Sequence, residues 1–248
     1  MERILSTSPV RNTAAKRELR PRVDGDEVEA AICERIRAAI CVGELPPGTK
    51  LPEEVIADSF ATKRFFVRAA LQRLAFENLI DLQKNRGAFV ARPSVKEARD
   101  VFEARRVIER VTTEIVTRTA MTHQLRALAQ QVSEQESHWN RGNRKQAIAG
   151  ISVIHMSLAS LAHNEALAAA LERLILRTSL ILGLFGTPQT FIGMSDHYRD
   201  LMALIQSGRS LEAARQIERC LFALEGELDF YPPVRREVDL RRLMETVG

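Results

Sequence analysis

Cysteine is scarce in this chain. Cys33, Cys41 and Cys220 are the only three in 248 residues, and no two form a Cys-x-x-Cys pair. An odd, scattered set argues against a disulfide framework and suits a reducing cytoplasm. Long apolar stretches are missing as well. No run of about 18 apolar residues occurs, so no membrane span is expected, and the first residues lack the apolar segment of a secretory signal. Catalytic signatures are also wanting: there is no His-Glu-x-x-His, no nucleophile elbow, no phosphate-binding glycine loop and no placeable Ser-His-Asp pattern. The expectation is a chain that is not an enzyme. Charge of one sign is not in excess, and a net +4 is too small by itself to imply a nucleic acid. What matters is where the charge sits.

The basic residues gather in residues 1–25 and around residues 63–86, while the rest is mixed. Hydrophobic residues make up 45% of the chain, enough for a sizeable core in one large or two smaller domains. The informative stretch is 62–74. Val67, Leu71 and Leu74 recur at helical spacing, and Lys63, Arg64 and Arg68 crowd the start of the same helix. Before it, 51–60 reads as a shorter helix with Val55, Ile56 and Phe60 apolar. Two short helices joined by a tight turn, the second opening with basic residues, outline a helix-turn-helix. Its second helix enters the DNA major groove, where arginine bonds bidentately to guanine. After it, 79–83 and 88–91 alternate around Lys84-Asn85-Arg86-Gly87. That is a hairpin signal, and it makes a wing with Lys84 and Arg86 at its tip, suited to phosphates or a minor groove. The expected DNA-contacting set is Lys63, Arg64, Phe65, Arg68, Arg73, Lys84, Arg86 and Gly87. Solvated arginines on an exposed helix are the bland alternative.

These residues resemble the winged helix of the GntR family. The resemblance rests on Gly43-Glu44-Leu45-Pro46-Pro47-Gly48-Thr49-Lys50-Leu51, then Ala57-Asp58, Arg64, Val67-Arg68, Ala70-Leu71, Arg73-Leu74 and Asn85-Arg86-Gly87-Ala88-Phe89-Val90, across roughly residues 26–92. The family usually carries Ser-Arg-Thr-Pro-Val-Arg-Glu-Ala-Leu where this chain has Lys63-Arg64-Phe65-Phe66-Val67-Arg68-Ala69-Ala70-Leu71. Both arginines persist. The Ser, Thr, Pro and Glu do not.

In chain order, 1–24 reads as a flexible basic tail, where Arg11, Lys16, Arg17, Arg20 and Arg22 either attract phosphate or are simply solvated. Val28–Val42 is an amphipathic helix that Gly43 ends. Asn78, tolerant of the left-handed backbone, stops the helix before the wing. Arg92-Pro93-Ser94 breaks the pattern, with Ser94 an N-cap, so a domain boundary falls between 93 and 94. Six helices follow: one from Val95, then about 122–139, 145–162, 165–184, 190–206 and 211–228. Gly183, Gly186 and Pro188 interrupt after the fourth, and Tyr231-Pro232-Pro233 ends the set. Short connections imply an antiparallel bundle over 94–232. Residues 233–248 are a tail or one more short helix. The expected fold class is mainly α, a winged helix-turn-helix followed by an all-helical antiparallel bundle.

The bundle resembles the FCD effector-binding domain of GntR regulators. The resemblance is carried by Phe102-Glu103-Ala104-Arg105 with Ile108-Glu109, by Ile154-His155, by His163-Asn164-Glu165-Ala166-Leu167, by Asp196-His197, and by Gly208 with Ala213-Ala214. It implies a small carboxylate effector and often a divalent metal. Arg105, Asn164, His155 and His197 are then the effector-binding candidates. The metal candidates are His155, His197 and Cys220, a set open to zinc. The family's usual Asp position holds Ile151. Two buried histidines with hydrogen-bond partners and no metal is the other reading of the same residues. For Arg105, the alternative to a pocket role is a surface pair with Glu109. The resulting expectation is a cytoplasmic transcriptional regulator, a repressor in most relatives. It is expected to act as a homodimer on a palindromic double-stranded operator under control of a small carboxylate. A metal-dependent enzyme activity in the bundle, or nonspecific coating of DNA, are the alternatives.

Overall fold

The computed structural model describes residues 25–231 together with Leu240 and Met244. The expected basic tail, and all of 232–248 apart from those two residues, lie outside the described residues. The chain builds α1 (Gly25–Cys41), β1 (Lys50–Leu51), α2 (Glu53–Ser59), α3 (Arg64–Phe76), β2 (Ile80–Gln83) and β3 (Gly87–Val90). It continues with α4 (Val95–Thr119), α5 (Thr122–Asn140), α6 (Arg144–Leu161), α7 (Glu165–Phe185), α8 (Met194–Gln206) and α9 (Ser210–Gly226). The fold is a winged helix-turn-helix followed by a helical bundle.

In the N-terminal part, α1 presents Ile32, Ile36 and Ile40 at helical spacing to Val67, Leu71 and Leu74 of α3, all buried in one core. Gly43 closes α1 at a φ of 68°, a left-handed backbone that favours glycine. Asn78 does the same after α3, at 58°. The helix-turn-helix starts later than its apolar pattern suggests. Leu51 is not its first helical residue but belongs to β1, because Pro52 disfavours helix in the residue before it. That extended pair joins the wing, so the sheet has three strands in the order β1-β3-β2. All pairs are antiparallel, with Leu51 opposite Ala88 and Leu82 opposite Ala88 from the other side.

Ser94 caps α4, its hydroxyl accepting from the Glu97 amide at 3.1 Å. α4 runs 25 residues into the bundle core, where Phe102, Trp139, Ile151, Ile181, Tyr198 and Leu221 are buried together. α7 ends within one residue of the expected 184. It continues to Phe185, and the Arg144 guanidinium donates to the carbonyls of Leu182 and Gly183. α8 begins at Met194 rather than near 190. The Thr190 hydroxyl donates to the Glu227 carbonyl at 2.7 Å, and Gly193 has a φ of 86° just before the first turn.

α7 also ties the two parts together. Its Leu180 is buried in the N-terminal core, as are Leu240 and Met244, while the neighbouring Ile181 and Leu182 face the bundle core. Its Arg177 pairs with Glu97 of α4 and donates to the backbone carbonyl of Asn78. A cleft of about 680 Å³ lies at this junction, lined by Arg37, Arg73, Phe76, Glu97, Arg173 and Arg177 among others. No described helix is long and apolar enough to cross a membrane.

Candidate DNA-binding face and bundle-core site

Lys63 stands in the N-cap position of α3 with extended backbone, and its side chain makes no capping bond. The next residues carry the charge outward. Arg64 meets Glu54 at 2.8 Å, and the Arg68 Nε meets Glu53 at 2.7 Å. Both glutamates sit in the first turn of α2, where the helix dipole favours acids. These exposed pairs are worth about 0–1 kcal/mol each, so an incoming phosphate displaces them at little cost. Phe65, beside them, is 73% exposed.

The wing turn holds Lys84, Asn85 and Arg86 in solvent, with Asn85 at a φ of 61° and Gly87 at 98°. The Arg86 guanidinium lies over the Phe89 ring at 5.6 Å. Between α3 and the wing runs a cleft of about 360 Å³ lined by Arg68, Gln72, Lys84 and Gly87 among others. Lys63, Arg64, Phe65, Arg68, Lys84, Arg86 and Gly87 are all exposed in this α3–wing region. Gln72, one turn beyond Arg68, lines the cleft and was missed. Its only sequence signal was that spacing. Arg73 does not join this face. It lies about half a turn of helix surface from Arg64, and its guanidinium sits 3.9 Å from Glu29 of α1 and 3.8 Å from Glu77.

In the bundle, Arg105 and Glu109 stand one turn apart on α4, and both are buried. They are therefore not a surface pair. The Arg105 Nε donates to Glu109 Oε1 at 2.6 Å. The other Glu109 oxygen meets His155 Nδ1 from α6, and His155 Nε2 meets the Tyr198 hydroxyl from α8 at 2.7 Å. Charge states follow from the surroundings. Burial raises the Glu109 pKa, but Arg105 and His155 outweigh it and bring the carboxyl down to about 2. Burial, with help from Arg105, lowers the His155 pKa against the pull of Glu109. Burial holds the Tyr198 pKa well above its usual 10. His155 is then neutral. Its Nδ1–H donates to the Glu109 carboxylate, and its Nε2 accepts from the Tyr198 O–H. Trp139 stacks on the Tyr198 ring, centroids 4.8 Å apart. The Arg105 Nη1 and Nη2 atoms remain buried and without a hydrogen-bond partner.

The sequence-expected ligand set does not assemble. Both ring nitrogens of His155 are engaged. The Cys220 thiol is pushed far above its usual pKa by burial, and it donates to the backbone carbonyl of His197 at 3.5 Å. Gln216 Nε2 donates to the same carbonyl, at 3.2 Å. Ile151 leaves an apolar, buried side chain where a carboxylate would be needed. Among the described residues no three His, Cys, Asp or Glu side chains are placed to hold a metal. A metal held by His155, His197 and Cys220 does not fit this arrangement, because a ligating imidazole or thiolate needs a free lone pair. Asn164 also stands apart from Arg105. It is the exposed N-cap of α7, accepting from the Leu167 amide at 3.1 Å. Tyr198 was missed, since nothing in sequence distinguishes it from a core aromatic.

Residues 29–90 match the bacterial regulatory proteins of the gntR family, and residues 100–223, half of the chain, match the FCD domain. The chain belongs to the GntR family of bacterial regulators, with an FCD domain after its winged helix. It is a DNA-binding transcriptional regulator. Among relatives, it is 23% identical over 185 residues to the HTH-type transcriptional regulator YdhC of Bacillus subtilis, covering 73% of this chain and 82% of that protein. The HTH-type transcriptional repressor NagR of the same organism is 40% identical over 68 residues, 27% of this chain and 28% of that one. Two solved structures share the fold at a TM-score of 0.71. The McbR/YncC protein of E. coli is 15% identical and aligns over 79% of this chain and 93% of its own. A GntR transcriptional regulator of Rhodococcus sp. RHA1 is 20% identical and aligns over 80% of this chain and 95% of its own.

Proposed function

We propose that residues 25–93 bind a palindromic operator as part of a homodimer, and that residues 94–232 sense a small carboxylate that weakens this grip. The chain then acts as a ligand-responsive cytoplasmic repressor. Lys63, Arg64, Arg68, Lys84 and Arg86 supply the phosphate and base contacts. Arg105 supplies the effector contact, assisted by the His155–Tyr198 pair.

One observation carries the sensing role: the two unpartnered, buried nitrogens of Arg105. A guanidinium with one edge tied to Glu109 keeps the other edge free for a bidentate carboxylate. A buried charge with unmet donors is costly unless something arrives to pair it. Arg105 has no exposed surface, so the ligand reaches it only when the bundle opens. Binding therefore selects a different arrangement of the helices.

Arg105→Lys tests this. The lysine keeps the charge beside Glu109 and loses the fork. A panel of small mono-, di- and hydroxycarboxylates is screened by thermal shift and by release of operator DNA. The hit should lose tenfold or more in affinity with Arg105→Lys, while operator binding without effector stays as in the wild type. An unchanged titration places the pocket elsewhere.

A further inference from the structure

Phe65 is an apolar side chain on a face built for a polyanion. It occupies the second position of α3 and is 73% exposed. Lys63 and Arg64 precede it, and Arg68 lies one turn on along the same side of the helix. Its ring is not loose. It stands edge-on to Phe66 with centroids 5.5 Å apart. Phe66 in turn is held against the start of α1, its Cε1 filling the space where a side chain on Gly25 would stand. The ring thus contributes little to the core and has no charge or hydrogen bond to offer a phosphate.

A recognition helix enters the major groove with its N-terminal residues at the base edges. The apolar feature there is the thymine C5-methyl group. Side chains that wedge between base steps work from the minor groove, the other side of the duplex from α3. We propose that Phe65 is a specificity-determining residue: its ring packs on the methyl group of one thymine in each operator half-site. This rests on reading α3 as the recognition helix. It assigns Phe65 a base contact that depends on burying a methyl group, with the neighbouring arginines left to read hydrogen-bonding edges and phosphates.

The experiment uses the full chain and an operator selected from random duplexes. Each thymine is replaced in turn by deoxyuridine, which removes the methyl and leaves every hydrogen-bonding group in place. One thymine per half-site should respond, with affinity falling about fourfold, the loss expected for one buried methyl. Phe65→Ala should bind the thymine operator more weakly and respond to deoxyuridine nowhere. Phe65→Leu, still apolar, should keep the response at the same position. The ring is exposed, so neither variant disturbs the core, and circular dichroism checks this. A specific operator with no methyl-sensitive thymine, or a Phe65→Ala protein with the wild-type sensitivity, overturns the role of Phe65 alone. A selection that yields no preferred duplex overturns α3 as the recognition helix, and the role of Phe65 with it.

Discussion

Arginines of one short helix divide into two jobs according to the side on which they emerge. Arg68, exposed beside the wing cleft, is expected to matter for operators. Arg68→Ala should cost about 1–3 kcal/mol of specific affinity if it reads a base, measured by titrating labelled operator, and an unchanged footprint removes it from the interface. Arg73→Ala should leave operator affinity unchanged, since its partners are Glu29 and Glu77 on the opposite side. In the bundle, His155 makes stability depend on pH. Its pKa is lowered in the folded protein from an ordinary 6.5, so the unfolded chain takes up the proton first. Its contribution is present above about pH 6.5 and is lost as pH falls below that. Glu109 works in a lower window: its carboxyl is brought down from 4.5 to about 2 in the folded protein, so its contribution is whole above about pH 4.5 and is lost as pH falls from there toward 2. Melting temperature should therefore fall between pH 7 and 5 in the wild type and stay flatter in His155→Gln. Equal slopes in both would mean that folding does not lower the His155 pKa, and a wild type that gains stability over this range would mean that His155 is charged in the folded protein.

Elements here begin and end for local reasons, and those reasons can be tested one at a time. α4 starts where the Ser94 hydroxyl takes up the Glu97 amide. Ser94→Ala should lower stability by about 1 kcal/mol, read as a shift in the urea midpoint. α3 ends where Asn78 turns left-handed at 58°. Asn78→Gly should be tolerated. Asn78→Ile should cost about 1–2 kcal/mol, because a β-branched side chain crowds the following carbonyl in that conformation. If both variants melt together, the turn is not held at that angle in solution. The wing follows the same logic, with Asn85 and Gly87 both at positive φ around its tip.

Over the whole molecule, α4 is the element common to the proposed effector site and the junction. Arg105 and Glu109 lie along it, and Glu97 lies two turns before Arg105. Glu97 holds Arg177 of α7, and Arg177 holds the Asn78 carbonyl at the end of the recognition helix. If a carboxylate binds Arg105 as proposed, a shift of α4 has a hydrogen-bonded route to the base of the wing. We predict that Arg177→Met binds effector as the wild type does but releases operator less on effector addition, since its differential contact between the two states is gone. Amide exchange across residues 78–82 should quicken in the same variant. A full effector response with unchanged exchange would rule out this route.

Much of this protein is legible residue by residue. Helical spacing of Ile32, Ile36 and Ile40, the Lys84–Gly87 turn, and the stops at Gly43 and Asn78 are local matters, set by side-chain period and backbone freedom within a few residues. The wing, the order of helices and the family follow from them. Three features depended on partners distant in sequence. β1 exists because β3 is there to pair with it. Arg73, which helical spacing already sets opposite Arg64, has an ion-pair partner there only because α1 carries Glu29 beside it. Arg105, Glu109, His155 and Tyr198 become one buried network only because α4, α6 and α8 pack with those side chains facing inward. The same packing leaves His155 without a free lone pair and Cys220 against a carbonyl rather than a metal. Periodicity assigns a residue to the inner side of its own helix. Which inner side chains meet is decided by the crossing of the helices, and that geometry appears only when the bundle is assembled.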